Sequence, residues 1–297
     1  MTSYLFGGDD IHPTVLHWKH GTLKQGPDDL AEEQPLEIRV RGRSLSVTMR
    51  SPGRDEELAS GLLFTEGLIR QRQDIRRIVP CERNEDGNRV HVQLAPEVTI
   101  NWDAIARYGL ASASCGLCGK ADLDSICQAL IRIESPFRID AATLEGLPSS
   151  MRKAQTDFRR TGGMHAAAVF DANGELLVLR EDVGRHNAVD KVIGHALQRG
   201  LLPLDQHLML VSGRSSFEIM QKAMMARIPL VAAVSAPSSL AVGLAQATGQ
   251  TLVGFLREQR MNIYTHPDRI RFGGTSNRLR SAGRPAAWPN AHDKEHD

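Results

Sequence analysis

The sequence is short of several features that would point directly to a function. It has only four cysteines in 297 residues, too few for the disulfide framework of a secreted protein. Its 36 basic residues are balanced by 35 acidic residues, so no overall charge attracts nucleic acid or an anionic membrane. Neither a Gly-x-Gly-x-x-Gly pattern nor a Walker loop occurs, which argues against an ordinary dinucleotide or triphosphate site. Any anion must therefore bind through local groups.

Long uninterrupted apolar runs are also missing. The most apolar segment, residues 228–245, contains Pro229, Pro237 and three serines, so it fits a strand, a loop and a helix better than a membrane span. The first ten residues have neither the basic nor the apolar region of a secretion signal. We therefore expect a cytoplasmic protein whose cysteines are reduced, reactive or bound to metal.

Two of the four cysteines lie together in Ser114–Lys120, which reads Ser-Cys-Gly-Leu-Cys-Gly-Lys. Thiols spaced Cys-x-x-Cys can reach each other or a common metal, and the glycines leave them accessible. Lys120 and a helix predicted to begin near Ala121 would favour a thiolate, which can attack an electrophile or carry a sulfur atom as a persulfide. Cys81 lies in a predicted hairpin and Cys127 in an apolar helical pattern, and we interpret both as buried packing residues.

A zinc site is an alternative for the same cysteines. His165 at the start of an apolar strand could join Cys115 and Cys118 as the zinc ligands of nucleotide deaminases do. The deaminase pattern His-x-Glu is not kept, however, because Ala167 stands where the general acid/base Glu is needed.

The order of elements predicts an α/β protein in several segments. Residues 1–30 read as a loosely ordered lead-in, residues 31–110 as a small α+β domain, and residues 274–297 as a disordered tail. The small domain is predicted from hairpins over 36–49 and 75–94 that flank a helix capped by Ser51. Residues 111–273 contain the Cys-x-x-Cys loop and then alternate strands and helices, which predicts a mainly parallel sheet covered by helices. Pro148 is expected to interrupt the helical pattern over 141–161.

Four polar loops follow the predicted strands of this domain. Because ligands of open α/β sheets bind beyond the carboxyl ends of the strands, these loops predict one crevice for a phosphorylated, nucleotide-bearing ligand. The loops are 181–187, 212–216, 235–239 and 257–260. Structural alternatives remain for each: Ser212 and Ser235 as helix caps, Asp182 with Arg185 as an ion pair, and Arg257 with Arg260 as solvated surface.

Several segments together resemble the formate dehydrogenase accessory sulfurtransferases, the FdhD/NarQ family, over residues 32–270. The long Glu-Asp-Val-Gly-Arg-His-Asn run is highly specific, whereas Cys-x-x-Cys alone would not be. The segments that carry the resemblance are 57–67, 115–120, 161–167, 180–191, 213–218, 235–237 and 262–267.

The resemblance implies a sulfurtransferase that acts as a persulfide carrier. Such a protein takes sulfur from a cysteine desulfurase and passes it to the bis-molybdopterin guanine dinucleotide form of the molybdenum cofactor, before the cofactor enters the formate dehydrogenase catalytic subunit. It also implies a cytidine-deaminase-like core, a homodimer, and no catalytic metal of its own. The implied persulfide carrier is Cys115, with Cys118 assisting.

The resemblance places cofactor contacts in residues 255–260, and the polar loops add others. Glu258 departs from the Arg-Gly usual in the family, and an acid beside a phosphate-rich ligand is unexpected. The candidate cofactor-binding residues are Phe255, Leu256, Arg257, Glu258, Gln259, Arg260, Arg185, His186, Ser212, Gly213, Arg214 and Ser235. The alternative function is a zinc- or nucleotide-binding chaperone that delivers cofactor without transferring sulfur.

Overall fold

The computed structural model describes residues 13–81, 87–103, 105, 130–257 and 259–273. Several predictions fall outside these residues and stay predictions. They concern the first twelve residues, the domain boundary at 110/111, Cys115, Cys118 and Cys127, Glu258, and the tail from residue 274.

A hairpin of strands β1 (Thr14–Lys19) and β2 (Thr22–Pro27) opens the described chain. The prediction of a loosely ordered lead-in up to residue 30 is wrong for this segment. The turn residues His20 and Gly21 both have positive φ, 50° and 79°, as a two-residue turn of type I′ requires. The sequence pattern did not predict this turn, because His20 stands before the glycine where Asn or Asp is usual.

A four-stranded sheet follows, with strand order β4-β3-β6-β5. Its strands are β3 (Gln34–Val40), β4 (Arg43–Arg50), β5 (Ile75–Pro80) and β6 (Arg89–Leu94). Both predicted hairpins are present, and β3 joins them by pairing parallel to β6.

Helix α1 (Asp55–Thr65) lies between the two hairpins in sequence, as predicted. Its predicted cap is wrong. The helix begins at Asp55 after Arg54, and Ser51 makes no cap bond. Instead the Ser51 hydroxyl accepts a hydrogen bond from the Val183 N–H, 3.2 Å away, so this serine ties the first sheet to the polar loops of the second.

The second sheet has six strands in the order β13-β12-β11-β10-β8-β9. The strands are β8 (His165–Phe170), β9 (Leu176–Asp182), β10 (Leu208–Val211), β11 (Leu230–Ala233), β12 (Thr251–Arg257) and β13 (Arg260–Thr265). The pairings β10–β11 and β11–β12 are parallel, whereas β8–β9, β8–β10 and β12–β13 are antiparallel. The sheet is therefore mixed rather than mainly parallel, because both of its outer pairs are hairpins, which are antiparallel by construction.

Among the described residues, five helices belong to this second part: α2 (Ala141–Ala154), α3 (Thr156–Thr161), α4 (Arg185–Gln198), α5 (Phe217–Met225) and α6 (Ser239–Thr248). The short strands β7 (Ile139–Asp140) and β14 (Ile270–Arg271) pair in parallel. Helix α2 continues through Pro148, where the sequence predicted an interruption, and the break between helices comes at Gln155.

One continuous apolar core joins the two sheets. It runs from Leu36 of β3 through Leu58 of α1 and Val192 of α4 to Val231 of β11. The core that includes Leu144 of α2 and Leu210 of β10 covers the opposite face of the six-stranded sheet. Among the described residues, no helix is long and apolar enough to cross a membrane.

Candidate functional site

The topology brings the four predicted loops to one edge of the six-stranded sheet. Strands β10, β11 and β12 are parallel to one another, and β9 runs the same way because both β9 and β10 pair antiparallel to β8. The carboxyl ends of these four strands therefore lie at one edge, which we call the rim, together with the start of β8. The sequence prediction of a shared edge is confirmed.

Main-chain contacts hold these loops against one another. The N–H of Ser212 donates to Ala166 O at 3.0 Å, and the Ser212 hydroxyl accepts from Ala166 N at 2.9 Å. Ser238 N donates to Ser215 O at 3.0 Å, and Phe255 N donates to Ser235 O at 3.1 Å. Ser212 is thus no helix cap, and the loops form one surface.

His165, Arg185 and Gly213 meet at this surface. A Cβ on Gly213 would lie 3.4 Å from Nδ1 of His165 and 3.5 Å from Cδ of Arg185, so glycine leaves room for both side chains. Burial lowers the pKa of His165 below its ordinary value, and the charges of Arg185 and His186 lower it further. The imidazole is therefore neutral at pH 7 and can either donate or accept a hydrogen bond.

One hydrogen-bond donor of the Arg185 guanidinium has no acceptor among the described residues. Its Nε is buried and has no hydrogen-bond partner there. A buried N–H without a partner is costly, and a guanidinium in this position is well suited to an anionic oxygen. Arg185 is therefore the strongest anion-binding candidate on the rim.

His186 is held in place by its own neighbours. Its Nε2 lies 2.9 Å from Oε2 of Glu218, and the Ser216 hydroxyl donates to the same carboxylate oxygen at 2.9 Å. The His186 side chain is 10% exposed. The structure thus places His186 where it joins the starts of α4 and α5, and any contact with a ligand remains a prediction.

Most of the contacts made by the Glu-Asp-Val-Gly-Arg-His-Asn run, residues 181–187, stabilise the fold. Asp182 is fully buried and lies 2.7 Å from the Lys191 ammonium, not in an ion pair with Arg185. It also accepts hydrogen bonds from Ser51 N, Gly184 N and the Asn187 amide. These bonds fix the turn from β9 into α4, and so they fix where Arg185 points.

A cavity of about 440 Å³ opens beside the rim and reaches under the break between α2 and α3. His165, Ser212 and Val234 line it from the rim side, and Gln155 from the helix side. Gln155 is only 3% exposed, and its side-chain amide makes no hydrogen bond to any described residue. A side-chain amide that lines a cavity and has no partner among the described residues can form hydrogen bonds with a polar ligand.

The side chain of Arg152 adds a positive charge to the lining of this cavity. Arg152 lies over the ring of Phe158, 4.4 Å from the ring centroid, and both residues line the cavity. Arg152, Gln155 and Phe158 were not among the residues predicted from the sequence. The sequence did predict an interruption in this helical pattern, but at Pro148 rather than at Gln155.

The hairpin from β12 to β13 contains the segment that the resemblance assigned to cofactor. Phe255 has a φ of 52° and is 36% exposed, whereas Leu256 is fully buried, so Leu256 offers no exposed group to a ligand. Arg257, Gln259 and Arg260 are exposed at the turn. A positive φ at an exposed aromatic residue is strained, and strained backbone of this kind is often found at binding sites.

The remaining predicted residues are placed as follows. Arg214 is exposed on the rim, and Gly213 and Ser235 are half-buried there. Cys81 is a free, half-buried cysteine beyond the end of β5, less buried than predicted. No group of three His, Cys, Asp or Glu side chains that could hold a metal occurs among the residues that the structure describes.

Comparison with known proteins decides the family. The model of the FdhD/NarQ family matches residues 31–271. The chain belongs to the FdhD/NarQ family. The resemblance drawn from the sequence is therefore confirmed over nearly the same range.

Curated members of the FdhD/NarQ family match almost end to end. The sulfur carrier protein FdhD of Streptomyces coelicolor is 50% identical over 264 residues, which cover 86% of this chain and 94% of that protein. The sulfur carrier protein FdhD of Mycobacterium tuberculosis is 48% identical over 269 residues, covering 87% and 98%.

A solved structure has the same fold. It is described as a formate dehydrogenase accessory protein from Desulfotalea psychrophila, with a TM-score of 0.71 and 25% identity, covering 88% of this chain and 99% of that one. This supports a mixed α/β fold for the FdhD/NarQ chain. The more specific cytidine-deaminase-like description stays a prediction.

Proposed function

We propose that this protein is a sulfurtransferase that carries sulfur as a persulfide on Cys115 and delivers it to a guanine-dinucleotide molybdenum cofactor held at the rim. The observation that carries the proposal is the meeting of four polar loops at one edge, beside a cavity, with an Arg185 donor that has no partner among the described residues. The names of the relatives, sulfur carrier protein and formate dehydrogenase accessory protein, support sulfur transfer and formate dehydrogenase as the destination.

The loading step is an exchange between a thiolate and a persulfide. The Cys115 thiolate attacks the terminal sulfur of a cysteine desulfurase persulfide, the donor S–S bond breaks, and the donor cysteine leaves as a thiolate. Cys115 then holds the sulfur as its own persulfide. Oxidation state is conserved, because one S–S bond forms as another breaks.

The release step uses the second cysteine. The Cys118 thiolate attacks Sγ of Cys115, a disulfide forms between the two cysteines, and the carried sulfur leaves as hydrosulfide. The two thiols supply the two electrons that reduce the sulfur. On the substrate, the hydrosulfide exchanges for an oxo ligand of the molybdenum, and one proton from solvent lets the oxygen leave as water. A dithiol reductant then restores Cys115 and Cys118.

The rim residues suit the nucleotide part of this substrate. Arg185 offers a guanidinium N–H to a phosphate oxygen, and two exposed arginines at the β12–β13 hairpin add positive charge. The Gln155 amide and the neutral His165 can pair with the polar edge of a base. Phe158 and Phe255 offer ring faces on which a base can stack. The protein is expected to act in the cytoplasm as a homodimer.

Loading of Cys115 is the first prediction. After incubation with a cysteine desulfurase and cysteine, mass spectrometry of the intact protein and its peptides should find one added sulfur on Cys115. The Cys115→Ala variant should lose the adduct, and Cys118→Ala should keep it, because the second thiol acts only in release. The Cys81→Ala variant is the matched control and should load like the wild type.

Two results would count against this assignment. Labelling confined to Cys81 or Cys127 would remove Cys115 as the carrier. Absence of any adduct, with stoichiometric zinc that is lost in Cys115→Ala, would favour the cofactor-delivery chaperone instead.

Nucleotide binding at the rim is the second prediction. Arg185→Met should weaken the affinity for GDP by about 10-fold to 150-fold, since a charge-assisted hydrogen bond contributes about 1.5–3 kcal/mol. Charge reversal at Arg214 or Arg260 should also weaken it, and none of these variants should affect persulfide loading. Isothermal titration calorimetry measures the affinity.

The control for this series is Arg132→Met. The Arg132 side chain is 81% exposed, and its neighbour Ile133 bonds to Thr248 beside the start of β12, at the opposite edge of the sheet. Its GDP affinity should equal that of the wild type. Equal affinity in the Arg185, Arg214 and Arg260 variants would remove the rim from the nucleotide site.

A further inference from the structure

A second concave surface lies at the other end of α4 from the rim. The helix begins at Arg185 and ends at Gln198, so its 14 residues separate the two surfaces by about 20 Å. Two cavities of about 440 Å³ and 400 Å³ adjoin there, and Arg72 and Leu197 line both. We call this surface the arginine groove. The arginines that line it are Arg70, Arg72, Arg76, Arg77, Arg199 and Arg227.

The charge of this groove is not neutralised within the described residues. None of the six guanidinium groups forms an ion pair there, and the hydrogen bonds of Arg72 and Arg227 go to main-chain oxygens. Glu56 is the acid among the residues that line the groove. A chain with a formal net charge of only +1 therefore concentrates positive charge at one place, which favours an anionic partner.

The strand geometry keeps two of the arginines together. Successive side chains of a regular strand point to opposite faces, yet Arg76 and Arg77 both line the groove. A register shift between Ile75 and Arg77 in the β5–β6 pairing accounts for this, because a bulge places two residues opposite one and redirects their side chains.

The floor between the arginines is apolar. Ile75, Ile78, Leu197 and Met225 line it and are partly or fully buried. A partner that bound only by charge would leave this floor in contact with water. A partner with both carboxylate and apolar side chains would cover it and pair with the arginines at the same time.

We propose that the arginine groove docks an acidic, partly apolar peptide segment of a partner protein. The carboxylates pair with the guanidinium groups, and the apolar side chains cover the floor. A compact polyanion such as polyphosphate fits less well, because Glu56 and the carbonyl end of α4 both carry negative charge here. The inference does not depend on the proposed sulfur transfer.

The test measures peptide binding to the full chain by fluorescence anisotropy. The probe is a short fluorescein-labelled peptide of Glu-Leu-Glu-Ser repeats, and its uncharged match has Gln in place of Glu. The Arg76→Glu/Arg77→Glu variant should weaken binding of the acidic peptide by about tenfold or more. The Lys19→Glu/Lys24→Glu variant makes the same change of charge on the exposed β1–β2 hairpin and should bind within about twofold of the wild type.

Any of four outcomes overturns the proposal. The first two are that the wild type fails to bind the acidic peptide, or that it binds the Gln peptide with equal affinity. The other two are equal losses of affinity in the arginine and lysine variants, and displacement of the peptide by tripolyphosphate at a lower concentration than by unlabelled peptide. Both pairs of side chains are exposed, so thermal unfolding of the variants should match that of the wild type. Neither pair lies at the rim, so GDP binding should be unchanged in both, which separates a failure here from a failure of the nucleotide site.

Discussion

A Lys222→Met variant is expected to lose about 3–5 kcal/mol of stability, because it leaves a buried carboxylate without its counter-ion. The Lys222 ammonium lies 2.9 Å from both carboxylate oxygens of Asp190 and 2.9 Å from the Thr65 hydroxyl. Burial alone would lower the pKa of Lys222, but Asp190 and then Glu66 outweigh it and raise the pKa above its ordinary value. Urea unfolding monitored by circular dichroism measures the loss.

A double variant tests the cause of this loss. Lys222→Met/Asp190→Asn removes both charges of this pair and should be more stable than Lys222→Met alone, because the buried Asp190 carboxylate is then no longer left unpaired. The exposed pair of Arg132 and Glu134, 3.9 Å apart, supplies the control: Arg132→Met should change stability by less than about 0.5 kcal/mol. If the single and double variants were equally stable, the unpaired Asp190 would not be the cause.

The pair also predicts how stability changes with pH. A lysine whose pKa is raised in the folded state contributes stability that is fully present below its unfolded pKa. That contribution is lost as the pH rises through the folded pKa, which lies above the ordinary value of 10.5. The Lys222→Met variant should therefore lose less stability than the wild type when the pH is raised into that alkaline range.

A Gly194→Ala variant is expected to lose about 3 kcal/mol, at the upper end of the cost of overpacking. Helices α1 and α4 cross with their backbones in contact at Gly61 and Gly194. A Cβ on Gly194 would lie 1.8 Å from Glu57 O, and a Cβ on Gly61 would lie 1.9 Å from Asp190 O. Main-chain oxygens cannot move aside as a flexible side chain can, so the two helices would have to separate.

Gly146→Ala in α2 is the matched control for this prediction. A Cβ there meets no atom within 4 Å, so the change should stabilise the protein by about 0.5–1 kcal/mol through the better helix propensity of alanine. Urea unfolding measures both variants. A Gly194→Ala variant as stable as the wild type would show that the helices can separate at little cost.

The losses of stability expected for Lys222→Met and Gly194→Ala both arise from contacts of helix α4, which positions Arg185 at the rim. Helix α4 carries Arg185 at its first residue and contacts α1 at Gly194. Asp190 lies between them on the same helix and pairs with Lys222 of α5. A shift of α4 would therefore move the guanidinium of Arg185 relative to Gly213 and His165, and we expect GDP affinity to fall together with stability in Gly194→Ala.

The sequence predicted the helices and strands more accurately than the direction in which the strands pair. The two hairpins of the first sheet and the strand–helix alternation after His165 were visible because apolar periodicity and turn residues act over a few neighbouring positions. The mixed character of the second sheet was missed, since the direction of a strand pair depends on the connection and not on the strand's own residues. The β1–β2 hairpin was missed for a local reason, because His20 takes the place of the usual Asn or Asp in its turn.

By itself the sequence determined the family, through the motifs around Cys115 and after Arg180, and it determined that four polar loops follow four strands. Only the tertiary structure decided which polar residues serve the fold: Asp182 pairs with Lys191, and Asp190 with Lys222. It also brought Gln155 to the rim cavity and brought together the arginines of the groove from three separate stretches of chain. Motifs report residue types at fixed spacing, whereas burial and charge pairing depend on neighbours that the chain brings together from far apart.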